Sequence, residues 1–280
     1  MKKQKSFPGY EYSRGKSTYM GEEVGEGGYV YQEEGIHRNV ALLDVASMHP
    51  SSIEAMEMFG PYTEKFSEIK NARITVKHAM GALIRGDEVA YERYIQEAEK
   101  VLDGGLKPFL EKDVDALDSL SYSLKIVINS VYGLTSAKFP NRFLDTRNVD
   151  NIVAKRGALF MIDLKHYVQE QGFNVAHIKT DSIKIPEADA DIIRLVEAFG
   201  AEYEYEFAHE ATYQVMCLVN KAVYIAEVIG QNGKPNYWSA TGAMFQHPYV
   251  FTILFGDGSY ELEDLVEPKS VAKGHIYIDP

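Results

Sequence analysis

Apolar positions along this chain follow two different periods, and the change from one to the other marks out the elements. Between residues 64 and 131 they recur every three or four positions, which predicts helices over 64–80, 87–102 and 115–131. Gly81 and Gly86-Asp87 break the first two into a helical hairpin. In the third, Leu117, Leu120, Leu124, Val127, Ile128 and Val131 form one apolar face, while Lys125 and Asn129, four apart, share another. The helical period returns over 152–169, with Gly172 as a stop, and again in Ile192, Leu195, Val196 and Phe199 behind a cap at Asp189 or Asp191. The remaining apolar runs are short. Asn39-Val40-Ala41-Leu42-Leu43 reads as a buried strand ending at Asp44, and 213–219 and 223–228 read as strands. Residues 174–178 and 182–185 flank Lys179-Thr180-Asp181 as a hairpin with Asp181 near its tip. Residues 1–28, polar and ending in Gly25-Glu26-Gly27-Gly28, show neither period and are read as a loop or extended arm. This order predicts an α+β fold with a helical insertion.

Composition narrows the class. With 280 residues and 45% hydrophobic content the chain can bury a sizeable core. No apolar run approaches the roughly 18 to 20 residues of a membrane span, so no membrane association is expected. Met1-Lys2-Lys3-Gln4-Lys5 resembles the basic start of a signal peptide, but Ser6-Phe7-Pro8-Gly9 stands where the apolar stretch should follow, and a cytoplasmic location is expected. The single cysteine, Cys217, rules out a disulfide within these residues and any clustered-cysteine metal centre; it is expected in the core. A net charge of -12 argues against a general nucleic-acid coat protein, yet the charge is uneven. Residues 125–184 carry nine Lys/Arg against five Asp/Glu, whereas 185–280 carry five against fifteen.

Two carboxylates stand at strand ends, Asp44 and Asp181. Mg2+ prefers oxygen ligands and keeps several waters, so two carboxylates from separate strands together with substrate phosphates suffice for a pair of ions. Spacing alone equally allows Asp44 to cap nearby amides and Asp181 to stabilise its turn.

The residues around both aspartates decide between these readings. Asp44-Val45-Ala46-Ser47-Met48-His49-Pro50-Ser51-Ser52-Ile53 resembles motif A of family B DNA polymerases, D-x-x-S-L-Y-P-S-I. Lys125-Ile126-Val127-Ile128-Asn129-Ser130-Val131-Tyr132-Gly133 is similar to their motif B, K-x-x-x-N-S-x-Y-G, at every specified position, and Ile178-Lys179-Thr180-Asp181-Ser182 to the second half of motif C, G-D-T-D-S. The likeness spans roughly residues 27 to 228, with a phage-like flavour in the final fifty residues of the chain. It implies a palm with an antiparallel sheet backed by helices, plus helical fingers, and template-directed addition of dNTPs to a primer 3'-OH. It implies that Asp44 and Asp181, with the Val45 carbonyl, hold two Mg2+ ions, which Mn2+ could replace. Ser47, Met48, His49, Arg73, Lys77, Lys125, Asn129 and Tyr132 would face the nucleotide. Gly27, Gly28, Gly133, Lys179, Thr180, Lys221 and Tyr224 would face primer-template DNA. Arg73 and Lys77, four apart on one helical face, would join Lys125 in a cationic clamp on the triphosphate.

The chain departs from the pattern in three places. Lys179 stands at the first acidic position of motif C, which lowers the negative charge beside the metal site. His49 replaces the tyrosine that excludes a 2'-hydroxyl, so deoxyribonucleotide preference is expected to survive only if the imidazole fills that space. Ala222 replaces one lysine of the K-K-x-Y strand. The 43 residues before Asp44 have no room for the family's proofreading exonuclease, which implies a fragment or a split enzyme with a separate exonuclease-containing N-terminal subunit as partner. On this reading the chain divides into an arm (1–28), palm (29–60), fingers (61–135), second palm part (136–228), and a reduced thumb or partner-binding region (229–280) that holds an acidic stretch over 261–267. The alternative is a polymerase-like subunit that has lost catalysis and serves DNA binding or assembly.

Overall fold

The computed structural model describes residues 10–13, 16–25, 27–102, 112–145, 148, 151–230 and 233–242, together with the backbone of 269–271 and 274–276. The acidic stretch over 261–267 therefore lies outside the described residues, as does most of the expected C-terminal region.

The longest strands are β-structure where the sequence alternates. Seven strands form one antiparallel sheet: β4 (Val30–Gln32), β5 (Gly35–Val45), β6 (His177–Lys179), β7 (Ser182–Ile185), β8 (Phe207–Asn220), β9 (Val223–Val228) and β10 (Tyr237–Thr241), in the spatial order β10-β9-β8-β5-β7-β6-β4. Alternation along β5 sends Ala41, Leu43 and Val45 to one face and Val40, Leu42 and Asp44 to the other. The first face is closed by α5 (Ile152–Glu170) and α6 (Ala190–Glu202), whose Phe160, Leu164, Ile192 and Val196 are fully buried against Leu43, Ile183 and Ile185. The second face curls on itself. His177 on β6 stands 3.1 Å from the Lys221 carbonyl at the β8–β9 turn, although three strands separate β6 from β9 in the sheet.

A second core belongs to helices alone. α2 (Thr63–Arg85), α3 (Glu88–Val101) and α4 (Val114–Thr135) bury Ala72, Val76, Ala79, Tyr91, Ile95, Leu117, Leu120 and Leu124 together. α2 runs unbroken through Gly81 and ends at Gly86, whose φ of 73° supplies the left-handed cap; Asp87 then accepts from the Ala90 amide and starts α3. Between sheet and bundle, α1 (Met48–Ala55) begins at Ser47, itself left-handed with φ 62°. α4 continues past Gly133 to Thr135 because nothing there demands a break.

Three expectations need correction. The arm over 1–28 contains three short antiparallel strands, β1 (Glu11–Ser13), β2 (Lys16–Tyr19) and β3 (Glu22–Val24). They are anchored on α5, where the Tyr19 hydroxyl donates to Asp163 at 2.7 Å and Lys165 pairs with Glu22. Cys217 is exposed, not in the core, because β8 alternates and Met216 and Leu218 take the inward positions. The strand ending at Asp44 runs from Gly35 to Val45, far longer than its apolar run, since β8 pairs with its polar half as well.

Phe160, wholly buried, has its ring centroid 4.5 Å from that of Tyr205 and 5.2 Å from that of Tyr203. Phe160→Ala is expected to lower stability by about 3–5 kcal/mol in urea unfolding, through lost burial and the cavity left behind; a loss below about 1 kcal/mol would show that this contact between α5 and the segment joining α6 to β8 is not the core's centre.

Candidate active site

The β5–β7 register fixes the centre of the site. Asp44 pairs across the ladder with Ser182, and the Asp181 carbonyl accepts from the Val45 amide at 2.9 Å, so the two aspartates sit on adjacent strand ends. The turn between β6 and β7 is tight. Thr180 adopts φ 58°, and its amide donates to the Tyr29 carbonyl at 2.9 Å. Gly28 packs against this turn so closely that a Cβ there would meet Thr180 Cγ2 at 2.9 Å, which accounts for glycine at a position with φ of 134°.

The carboxylates open into a cavity of about 510 Å³. Its sheet side carries Asp44, Val45, Asp181, Glu206 and Glu210; the turn into α1 supplies Ser47, Met48 and His49; α2 supplies Arg73 and Lys77; and α4 supplies Lys125 and Asn129. Thus both aspartates, Val45 and seven of the eight residues expected to face a nucleotide line one space. The eighth, Tyr132, stands just behind: its ring stacks on His49 at 5.3 Å with a 27° interplanar angle, and its hydroxyl donates to Asn151 at 3.1 Å. The residues expected on DNA lie outside the cavity. Gly133 faces open space on α4, Gly27 and Gly28 lie by the Thr180 turn, Lys179 ends β6, and Lys221 and Tyr224 stand at the β8–β9 turn and on β9.

Charge is concentrated here. Burial, Asp181 and Glu210 push the Asp44 carboxyl up to about 7, while Lys77 and Lys184 pull it back. Burial lowers the His49 imidazole, opposed by Asp181, and also lowers Arg73. Arg73 donates from one guanidinium nitrogen to the Ser47 hydroxyl at 2.8 Å, whereas its buried Nε and the buried Nδ1 of His49 have no hydrogen-bond partner among the described residues. Ser47 therefore orients the arginine, a role its motif position does not by itself reveal. Glu210 was invisible in the sequence: it is the extra residue of a bulge where Leu42 faces Ala211 but Leu43 faces His209. Lys184 was legible as the one charged position inside Ile183–Ile185, where alternation turns it to the Asp44 face.

Among the described residues no group of three or more His, Cys, Asp or Glu side chains is arranged to hold a metal ion unaided. The donor set fits a hard divalent cation nonetheless. Two carboxylates that repel each other, with oxygen donors only, match the way Mg2+ is held by one or two carboxylates plus substrate phosphates.

No family model matches the chain. Over 205 residues it is 26% identical to a DNA polymerase of Archaeoglobus fulgidus, a match covering 71% of this chain and 26% of the relative. Among solved structures, the family B DNA polymerase of the hyperthermophilic archaeon Pyrobaculum calidifontis aligns with 84% of this chain and 31% of its own length, at 14% identity and a TM-score of 0.49. The chain thus spans about a quarter of the length of the curated relative it matches. Its sequence similarity is to a DNA polymerase, and its motifs resemble those of family B. No described helix is long and apolar enough to cross a membrane.

Because Asp44 is held above its ordinary 3.8, the folded protein binds more protons than the unfolded chain between those two values, so its metal-free stability falls as pH rises through that window. Asp44→Asn removes the charge, and in EDTA it is expected to melt above wild type at about pH 8 and to lose that advantage towards about pH 4. Parallel melting curves across this range would contradict the repulsion.

Proposed function

We propose that this chain is the polymerising portion of a family B DNA polymerase, taking primer-template DNA and dNTPs. The observation that carries the reading is the convergence of motif A, motif B and motif C residues on one cavity: Asp44 and Asp181 at its floor, Arg73, Lys77, Lys125 and Asn129 on the helical side.

Asp44 and Asp181, with the Val45 carbonyl, would hold two Mg2+ ions, or Mn2+ in their place, and those ions would supply charge neutralisation on the phosphates and a more acidic primer hydroxyl. The rest is done by the chain. Arg73, held by Ser47, offers a forked donor to the triphosphate, and Lys77 and Lys125 add point charges from two helices. In the transfer the primer 3'-oxygen bonds to the α-phosphorus, the bond to the β-phosphate oxygen breaks, pyrophosphate leaves, and the hydroxyl proton passes to solvent. His49, backed by the Tyr132 ring, forms the wall on which the sugar would rest, and Asn129 faces the same space from α4. Gly28, Lys179, Thr180, Lys221 and Tyr224 would bear on the DNA strands outside the cavity.

One observation favours a second reading. Lys179 puts a cation where motif C has its first carboxylate, as a polymerase-like subunit without catalysis would tolerate. A separate exonuclease-containing subunit belongs to either reading as a proposed partner.

The test is extension of a labelled primer-template by the full chain in Mg2+. Wild type is expected to extend, and Asp44→Asn and Asp181→Asn each to fall by at least about a hundredfold, the scale of losing electrostatic stabilisation of the transition state. Folded wild type that binds primer-template without extending it would support the second reading instead.

A further inference from the structure

Lys184 is a charged residue only 3% exposed, on the Asp44 face of β7. It pairs across the ladder with Leu42 on one side and His177 on the other, and its ammonium lies 5.2 Å from the ring centroid of Tyr224 on β9. Among the described residues its ammonium has no carboxylate within ion-pair distance and no hydrogen-bond acceptor. With its side chain mostly withdrawn from water and no protein acceptor on its donors, the ammonium gains from an anion that reaches it. Burial, with Lys179, pushes the ammonium down from its ordinary value, opposed by Tyr224, Asp44 and Asp181, and an anion seated on it would restore the charged form. Neighbouring His177 is pushed down to about 4 by burial and by Lys184 itself, so it adds no second positive charge near neutral pH.

Position says which anion. Lys184 does not line the cavity that holds Arg73, Lys77 and Lys125, so a triphosphate seated among those three is met by other groups. It stands on the sheet instead, within electrostatic reach of both aspartates on one side and against Tyr224 on the other. A strand whose 3' end enters at Asp44 and Asp181 and which runs towards Tyr224 and Lys221 passes over this ammonium one linkage behind its end. Resting on the polymerase reading, we propose that Lys184 grips the phosphodiester joining the last two nucleotides of the primer. In doing so it positions the 3'-oxygen and offsets the lysine missing at Ala222 in the β8–β9 turn.

The proposal is tested without metal, by fluorescence anisotropy of primer-template binding to the full chain in EDTA, with single methylphosphonate linkages walked along the primer. Neutralising the terminal linkage is expected to weaken wild-type binding about tenfold, the size of one charge-assisted hydrogen bond, and to cost Lys184→Met nothing further. The same variant is expected to reduce the slope of log affinity against log salt by about 0.9, one phosphate contact. The wild-type arm needs no mutant, so a folding defect in Lys184→Met, read by circular dichroism, leaves the terminal-linkage dependence to decide. Wild type indifferent to that linkage, or losses that multiply in the variant, would overturn the contact. Extension by wild type on the unmodified primer in Mg2+ separates this failure from failure of the polymerase reading.

Discussion

The antiparallel pairing of β5 with β7 is the constraint on which the rest depends. Asp44 opposite Ser182, with the Asp181 carbonyl accepting from the Val45 amide, brings two carboxylates together on adjacent strand ends. A sheet ladder is rigid enough to hold like charges that free side chains would move apart. The consequence is visible in Asp44, held up to about 7 by burial and by Asp181 and Glu210. Stability given up locally in this way is recovered from the buried face beneath, where Leu43, Ile183 and Ile185 pack against Phe160 and Leu164. The repulsion is relieved by positive charge, and the structure brings that charge from two directions.

One direction is the helical bundle. α2 and α4 bury their own apolar stripes together and need no residue of the sheet for that core, which leaves Arg73, Lys77, Lys125 and Asn129 free to line the cavity. The other is the sheet itself, where Lys184 lowers Asp44 from the same face. Between the two stands the turn at Ser47, left-handed and without a glycine, whose hydroxyl holds Arg73 while the next residues carry Met48 into the core and His49 against Tyr132. Backbone strain there redirects the chain from strand to helix three residues after Asp44.

Much of this was legible in the sequence because periodicity is local. The helices over α2 to α5 and the hairpin carrying Asp181 follow from spacing alone, and the motif wording around Asp44, Lys125 and Asp181 identified residues that the fold then gathers in one cavity. What escaped depended on pairing with distant strands. β1 to β3 are three or four residues each, with β1 exposed throughout, and their order comes from Tyr19 and Glu22 docking on α5 more than a hundred residues away. Cys217 looked like core filling because its neighbours are apolar, but only the register with β9 says which of them point inward. Glu210 enters the site through a bulge, a register fault with no signature in composition.

The central proposal is that Asp44 and Asp181 together hold the pair of divalent cations, completed by a nucleotide's phosphates. Its most direct measurement is titration of the full chain with Mn2+, followed by electron paramagnetic resonance, with and without a dNTP. In wild type dNTP is expected to tighten binding, and either Asp44→Asn or Asp181→Asn to weaken it at least about tenfold, since a hard cation loses one of its two protein carboxylates. Binding unchanged in both variants would contradict it.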